Sequence, residues 1–314
     1  MDNKKLYNKY SIYLKKKYGE KVYKLPINLP ITCPNRVHGS GCTFCSELGT
    51  GFEAMDSMNS VKEQLLYTKS KILKKYNAKK YIAYFQNYTN TFMPLEQFKT
   101  YMLEAATVED IVELSISTRP DCISENYLDI LEEIHKEFKI NITIELGLQT
   151  SNHRALKAIN RGHSLAEFID AVLLIKKYNF TITTHIILNL PYDDIEDNIE
   201  TAKIISALSI DIIKIHSLYI AKNTLLCESY DNGTITLCSK EEYIHRLITF
   251  LEYLNPEMIV ERLFSRVPKE EAVFSNWETS WWKLQDEVIE KMNQNDCYQG
   301  KKFDYLHGHA LRGI

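Results

Sequence analysis

Long apolar runs are missing from this chain of 314 residues: no stretch approaches the roughly 18 uncharged apolar residues that a membrane-crossing helix needs. The opening residues, MDNKKLYNKYSIYLKKKYGE, lack the apolar segment of a secretory signal. These absences argue against a membrane association and make the cytosol the expected compartment. There the seven cysteines stay reduced, so disulfides explain them poorly, and their odd number agrees. An excess of charge is missing as well. The formal net charge is −3, and the molecule as a whole does not advertise a polyanion partner. Low-complexity linkers, evident repeats and a recognisable appended RNA-binding domain are also absent.

What is present is ordinary in bulk and uneven in detail. A composition of 45% apolar and 25% charged residues is that of a globular protein, and the length allows one large domain or two small ones. Residues 1–24 carry eight lysines (Lys4, Lys5, Lys9, Lys15, Lys16, Lys17, Lys21 and Lys24) against Asp2 and Glu20. Tyr7, Tyr10, Tyr13, Tyr18 and Tyr23 are interleaved with them. A second run, Lys69, Lys71, Lys74, Lys75, Lys79 and Lys80, lies within 62–80. Lysines neutralise phosphates and tyrosines offer stacking faces, a pairing that suits RNA. A solvated helix surface has the same composition, so both readings stand.

Short β-branched runs alternate with amphipathic segments. The expected strands are Tyr81–Phe85, Ile111–Ser117, Ile140–Leu146, Thr181–Leu188 and Asp211–Leu218, with one more near Leu29–Thr32 and a seventh at Met258–Leu263. Helices are expected over 95–106, 124–137, 165–178, 195–208 and 241–254; LEQFKTYMLEAA repeats apolar positions at three- and four-residue steps. Strand starts recur about every 30–40 residues, the spacing of βαβ units with parallel pairing. The fold class is therefore α/β, as an open doubly wound sheet or a complete or incomplete barrel. After Pro268 the alternation stops. SNWETSWWKLQDEVIEKMNQ reads as a helix with Trp277, Trp281 and Trp282 at its start, in a C-terminal extension packed on the same core.

Active sites of parallel sheets and barrels lie at the C-terminal ends of the strands. Polar residues gather there: Gln86, Ser117 and Arg119, Glu145 and Gln149, His185 and Asn189, Lys214 and His216. A catalytic crevice accounts for them, and so do internal ion pairs. Residues two apart in a strand share a face, so Glu145, Gly147 and Gln149 are expected to project together, as are Lys214 and His216. Glu261 and Arg262 read as a structural salt bridge.

CPNRVHGSGCTFC, residues 33–45, places Cys33, Cys42 and Cys45 within one loop. Three soft thiolates suit zinc or iron–sulfur, and a structural site needs a fourth ligand, for which His38 is available. A zinc knuckle generally brings two close-spaced cysteine pairs, whereas Cys122, Cys227, Cys238 and Cys297 form no second one. A four-iron cluster on three cysteines leaves one iron free for an outside ligand. Gly39 and Gly41 let the loop wrap closely.

These residues resemble the radical S-adenosylmethionine (SAM) superfamily. Cys42, Phe44 and Cys45 match the second half of its CxxxCxφC signature, while eight residues instead of three separate Cys33 from Cys42. The longer interval is similar to the group around the catalytic subunit of the elongator acetyltransferase. The chain most resembles the bacterial YhcC/YtqA-like family, through CPNR at 33–36, GCTFC at 41–45, YFQNYTNT at 84–91 and STRPDC at 117–122. The resemblance continues through ELGLQT at 145–150, INRGH at 159–163, HIILNLP at 185–191 and KIHSLYIAKNTLL at 214–226.

The resemblance implies a partial (β/α)6 TIM-type barrel over 25–267, a basic N-terminal segment over 1–24 packed on it, and a C-terminal helical extension over 268–314. It implies a [4Fe–4S] cluster on Cys33, Cys42 and Cys45, with SAM on the fourth iron. The usual Gly-Gly-Glu-type segment for the SAM amine is absent, and Gln86 to Asn90 stand in its place. Gln86, Asn87, Glu145 and Gln149, with Asn160 and Arg161, are thereby implied at SAM, and Arg119 at its carboxylate or at a substrate anion. His185, Lys214 and His216, on later strands, are expected on the substrate side as catalytic candidates. The family also implies a reaction: conversion of the 5-carboxymethylaminomethyl group of the tRNA wobble uridine to 5-aminomethyl. Its partners would be tRNA, a reductant such as flavodoxin or ferredoxin, and a separate tRNA methyltransferase acting downstream. A radical SAM enzyme for a small metabolite or peptide is an alternative, and a non-enzymatic zinc- or RNA-binding protein another.

Overall fold

The computed structural model describes residues 5–46, 54–76 and 78–312; Asp2 and Lys4 of the basic N-terminal run lie outside the described residues. The β-branched runs become strands buried on both faces, as parallel sheets require. Ile82, Leu114, Ile116, Ile144, Ile182, Ile213 and Ile215 are all fully buried. In chain order the strands are β1 (Val22–Ile27), β2 (Lys80–Phe85), β3 (Ile111–Thr118), β4 (Asn141–Gln149), β5 (Thr181–Ile187), β6 (Ile212–His216), β7 (Ile220–Ala221), β8 (Ile259–Arg262) and β9 (Ala272–Phe274).

Spatial order follows sequence order in a seven-stranded sheet, β1-β2-β3-β4-β5-β6-β8. The registered pairs β1–β2, β2–β3, β3–β4 and β6–β8 are parallel. Parallel neighbours need crossovers, and helices supply them. Helix α1 (Tyr10–Tyr18) precedes β1, and the single turn α2 (Pro34–Val37) opens the cysteine loop. The crossovers then run through α3 (Val61–Tyr76), α4 (Leu95–Ala106), α5 (Glu125–Phe138), α6 (His153–Ala158) with α7 (Leu165–Lys176), and α8 (Ile195–Ala207). Between β6 and β8 lie α9 (Leu225–Asp231) and α10 (Lys240–Tyr253), and α11 (Trp281–Gln294) follows the last strand. This is a partial, open (β/α) barrel with a C-terminal helical region. No helix among the described residues is long and apolar enough to cross a membrane.

Three local features differ from the sequence expectation. Leu29–Thr32 is irregular, and the first strand lies upstream at β1. Pro30 deprives the later segment of an amide donor, whereas Pro26 is tolerated in β1 because β1 stands at the end of the sheet order. Trp277 lies outside α11, in a short turn where its φ is 50°. Finally, β7 and β9 pair antiparallel, and runs of two and three residues are too short for any periodicity to reveal.

The chain packs as two compact units. The first comprises Ser11–Gly147 and Arg161–Thr183. There α3 packs on β1, α4 on α5 and β3, and α7 on the turn Pro120–Cys122, around Leu25, Leu65, Phe85 and Phe98. The second comprises Leu148–Asn160 and the chain from Thr184, with the N-terminal residues through Tyr10. In it α10 packs on α8 and α11, around Tyr243, Phe250 and Val288. Its N-terminal strand segment is held by a parallel bridge from Lys9 to Val260 and by the Asn8 side-chain amide, which donates to the Met258 carbonyl at 3.2 Å.

Candidate functional site

The cysteine loop belongs to the first unit. Cys33 precedes α2, and Pro34 takes the first helical position, where a missing amide costs nothing. The turn closes through the His38 amide on the Pro34 carbonyl and the Gly41 amide on the Asn35 carbonyl, both 2.9 Å. At Gly41 φ is +77°, a conformation glycine takes freely, and the chain reverses there. Gly39 shows no such φ. The Cys45 amide then bonds the Cys42 carbonyl at 3.1 Å, and the Cys45 thiol feels the charges of both Cys42 and Cys33. Phe44 is half-buried and His38 exposed.

Every one of the three sulfurs is met by an N–H donor. Arg119 Nη1 lies 4.0 Å from Cys33 Sγ, and Arg161 Nη1 and Asn35 Nδ2 each 3.6 Å from Cys42 Sγ. Arg36 Nη2 lies 3.6 Å from Cys45 Sγ. These side chains are themselves held. Arg119 grips both carboxylate oxygens of Asp121 (2.8 and 2.6 Å) and the carbonyls of Arg161 and Gly162 (2.8 and 3.0 Å). Arg161 donates to the Gly147 carbonyl at 3.1 Å. Arg36 donates to the Cys45 carbonyl at 2.9 Å and stands over the Tyr88 ring. Burial pushes the Cys45 thiol up, and Arg36 opposes that shift.

His163 completes this loop. Its Nε2 lies 2.9 Å from the Gly147 carbonyl, so that nitrogen carries the proton. Burial and then the Arg161 charge drive its pKa down to about 3, which keeps the ring neutral. Arg161 and His163 thus both tie the loop after α6 to the end of β4. Ser164 and Glu167 form a reciprocal capping box that starts α7 directly behind them.

One face of the first unit's sheet is polar. Lys24 Nζ lies 2.7 Å from Glu145 Oε1 and 4.6 Å from the Tyr84 ring centroid, and Ser115 Oγ donates to the same Glu145 oxygen at 2.6 Å. A second buried carboxylate, Glu113, pairs with Lys17 at 3.1 Å and accepts from Thr143 Oγ1 at 2.8 Å. Beyond β2, the Asn90 side-chain amide donates to the carbonyls of Phe85, Asn87 and Ser117 (3.1, 3.1 and 2.8 Å). Asn87 donates to Asn28 Oδ1 at 3.0 Å, and the Gln86 amide to the Ile27 carbonyl at 3.3 Å. The turn through Gln86 and Asn87 is therefore stitched to β1 and β3.

The second unit holds the remaining sequence candidates. Gln149 and Asn160 have left-handed φ of 74° and 51°. At Gln149 this ends the two-residue alternation that the sequence carries through it. The rings of His185 and His216 stack with centroids 5.2 Å apart, and His216 Nε2 lies 3.3 Å from His185 Nδ1. Arg262 Nη2 lies 2.7 Å from His216 Nδ1. The same Arg262 nitrogen lies 3.2 Å from His216 Nε2, so one guanidinium N–H group reaches both ring nitrogens. Lys214 pairs with Glu261 at 3.3 Å, both nearly buried. The expected Glu261–Arg262 pair is corrected accordingly: Glu261 meets Lys214 and Arg262 meets His216, across a register that shifts at Ile213/Lys214. Cys122, Cys227 and Cys238 are free thiols whose pKa burial raises, Cys122 to about 12.

Sequence reasoning alone does not single out Asn35, Arg36, Lys24 or His163. The available signal is position: Asn35 and Arg36 follow Cys33 directly, and His163 follows Arg161-Gly162.

The donor set fits an iron–sulfur group. Three free thiols from one loop, each met by a guanidinium or amide N–H group, supply the soft sulfur ligands and the N–H donors to sulfur that such a group takes. Among the described residues no three His, Cys, Asp or Glu side chains converge closely enough for a single metal ion. A cubane spreads its ligand sulfurs wider than one ion does, and three cysteines leave one of its irons to an outside ligand.

Comparison with known proteins agrees. The Radical SAM superfamily model matches residues 27–205, and the Radical_SAM C-terminal domain model matches 210–294. YtqA of Bacillus subtilis is 33% identical over 309 residues, covering 97% of this chain and 95% of that protein. YhcC of Escherichia coli is 30% identical over 298 residues, covering 94% and 95%. A tRNA uridine(34) acetyltransferase of Methanocaldococcus infernus is 30% identical over 152 residues, 47% of this chain and 27% of that enzyme. Among solved structures, the archaeal Methanocaldococcus infernus Elp3 lacking its N-terminus superposes with a TM-score of 0.68 at 20% identity, over 88% of this chain and 64% of that one. The chain thus belongs to the radical SAM superfamily as a relative of YtqA and YhcC, and is a radical SAM enzyme whose defining cofactors are a [4Fe–4S] cluster and S-adenosylmethionine.

Proposed function

We propose that Cys33, Cys42 and Cys45 hold the [4Fe–4S] cluster, with SAM on its fourth iron, and that the substrate is a tRNA wobble uridine bearing a 5-carboxymethylaminomethyl group. The observation that carries the first half is the loop in which each of three thiols receives an N–H donor. When bound, the cluster and SAM supply a 5′-deoxyadenosyl radical that takes a hydrogen atom from the substrate.

The chain's own residues position the partners. Arg161 and Arg119 brace the cluster loop, and Gln86, Asn87, Glu145, Gln149 and Asn160 are assigned to SAM. His185, Lys214 and His216 are assigned to the substrate. His185 Nδ1 and His216 Nε2 lie 3.3 Å apart, and imidazole N–H groups of this pair are donors suited to the carboxylate of the substituent. A hydrogen atom would be taken from the carboxymethyl carbon, and the resulting radical would give up one electron to a one-electron acceptor to form a C=N bond. Water would hydrolyse that bond, releasing glyoxylate and leaving the amine on the base as 5-aminomethyl.

Two observations support tRNA. One is the likeness to an enzyme whose name is tRNA uridine(34) acetyltransferase, over 47% of this chain. The other is a surface in the first unit where the two lysine–tyrosine runs meet. Tyr23 stacks on Tyr76 at 4.9 Å, Lys21 lies within 5.0 and 5.4 Å of the two rings, and Lys75 lies 5.0 Å from Tyr76. Such a patch offers cations to phosphates and ring faces to bases. A splayed-out anticodon base would present the substituent. The partners this reading requires are a one-electron donor of the flavodoxin or ferredoxin type and a separate tRNA methyltransferase for the product.

The test is mass spectrometry of nucleosides from tRNA incubated anaerobically with the enzyme, SAM and reductant. Carboxymethylaminomethyluridine should fall as aminomethyluridine rises. Unchanged tRNA from an enzyme that still cleaves SAM would move the substrate to a small metabolite or peptide.

A further inference from the structure

We propose that Arg36, Arg119 and Arg161 are positioning residues that set the reduction potential of the cluster, and that Arg161 contributes most; this rests on the assignment of Cys33, Cys42 and Cys45 as its ligands. Each guanidinium addresses a different sulfur: Arg119 Cys33, Arg161 Cys42 and Arg36 Cys45. Reduction adds one negative charge that spreads onto the ligand sulfurs. Fixed cations and N–H donors at those sulfurs stabilise the reduced state and raise the potential.

The three are unequal for reasons visible in their surroundings. Arg119 is buried, but both oxygens of the Asp121 carboxylate answer its charge, at 2.8 and 2.6 Å, and its sulfur contact is the longest of the three. Arg36 is half-buried, so solvent screens part of its field. Arg161 is 8% exposed, and its bonded partners are the Cys42 sulfur and the neutral Gly147 carbonyl, so that among the described residues no carboxylate is bonded to it. A buried, unopposed cation exerts the largest effect. The geometry is prearranged as well. Arg119 bonds the backbone carbonyl of Arg161, and the Gly147 carbonyl receives Arg161 and His163 together. Arg119 and Arg161 are thereby held in place before any electron arrives, and Arg36 is held by its bond to the Cys45 carbonyl at 2.9 Å.

The experiment compares the wild type with Arg161→Gln, Arg161→Lys, Arg36→Gln and Arg119→Gln, each reconstituted anaerobically. Iron content comes first, followed by the midpoint potential from an EPR-monitored reductive titration without substrate. Arg161→Gln should keep the cluster and lose about tenfold in its preference for the reduced state, about 59 mV more negative for a one-electron couple. Arg161→Lys, which keeps the charge, should recover most of that loss. Arg36→Gln should shift less, and Arg119→Gln least. If Arg161→Gln loses its iron, the Lys variant and Arg36→Gln carry the comparison. Full iron content with an unchanged midpoint in Arg161→Gln and Arg36→Gln overturns the proposal, as does a larger shift in Arg119→Gln than in Arg161→Gln. A wild type that takes up no cluster instead refutes the ligand assignment beneath it.

Discussion

Gly162 stands against Asn35: a Cβ on Gly162 would lie 2.7 Å from Asn35 Oδ1 and 3.2 Å from Arg119 Nη2, and the Gly162 φ of +75° already disfavours any side chain. Asn35 Nδ2 and Arg119 Nη1 are the donors on Cys42 and Cys33. A methyl group at 162 therefore pushes on two of the groups that line the cluster loop. Gly162→Ala should lower reconstituted iron content by at least about half and cost about 2 kcal/mol or more of stability. Gly19→Ala is the matched control, with the same φ of +75° and nothing within 4 Å. It should cost about 1 kcal/mol and leave iron content intact. Iron assays and urea melts of the two variants check this, and equal iron content in both would remove the steric argument.

His163 predicts a pH dependence with a definite sign. Its folded pKa, about 3, lies below the ordinary 6.5, with burial the main cause. The unfolded chain therefore takes up a proton that the folded chain refuses between those two values. The stability this group contributes is fully present above pH 6.5 and is lost as pH falls toward 3, by up to about 1.4 kcal/mol per pH unit. In urea melts between pH 7.5 and 5, His163→Gln should be less stable throughout and show a shallower loss with acid. Parallel curves would mean that His163 is not the titrating group.

The Lys24–Glu145 pair tests how the polar sheet face is held. Glu145 is fully buried and Lys24 largely so, and their 2.7 Å contact links β1 to β4. Removing one partner leaves a buried charge uncompensated, so Lys24→Met should cost about 3 kcal/mol. The double variant Lys24→Met with Glu145→Gln should recover part of it. A double-mutant cycle by chemical denaturation measures the coupling, which is expected to exceed about 1 kcal/mol.

How far the sequence alone reaches can be judged element by element. Helix 95–106 and the strands β2, β3 and β5 are legible to within a residue or two, because apolar periodicity and β-branched runs report burial directly. The start of the barrel is not, since a strand containing Pro26 contradicts the pattern unless its edge position is known. At the site, Cys33, Cys42 and Cys45 are singled out by their spacing, and Arg161 only by the family resemblance. What Arg119 does is not legible, because Asp121, two residues away, occupies its fork only in the folded geometry. The His185–His216–Arg262 chain is equally hidden, since it depends on the β6–β8 register shift.

That histidine chain should matter to the substrate and not to SAM. His185→Ala should leave slow, substrate-free formation of 5′-deoxyadenosine within about twofold of wild type, while substrate conversion falls at least about 100-fold. Arg262→Met, which removes the guanidinium donor from His216, should act in the same direction more weakly. Chromatographic assay of 5′-deoxyadenosine beside product separates the two effects. Equal loss of both signals would place His185 with the cofactor instead.

The ligand assignment faces its most direct test in the iron and absorbance of anaerobically purified protein, wild type beside Cys42→Ala. The account predicts a brown wild type with about four irons per chain and broad absorbance near ~400 nm, and a Cys42→Ala variant that lacks both. A colourless wild type carrying stoichiometric zinc, or a Cys42→Ala variant with full iron and unchanged absorbance, would contradict it.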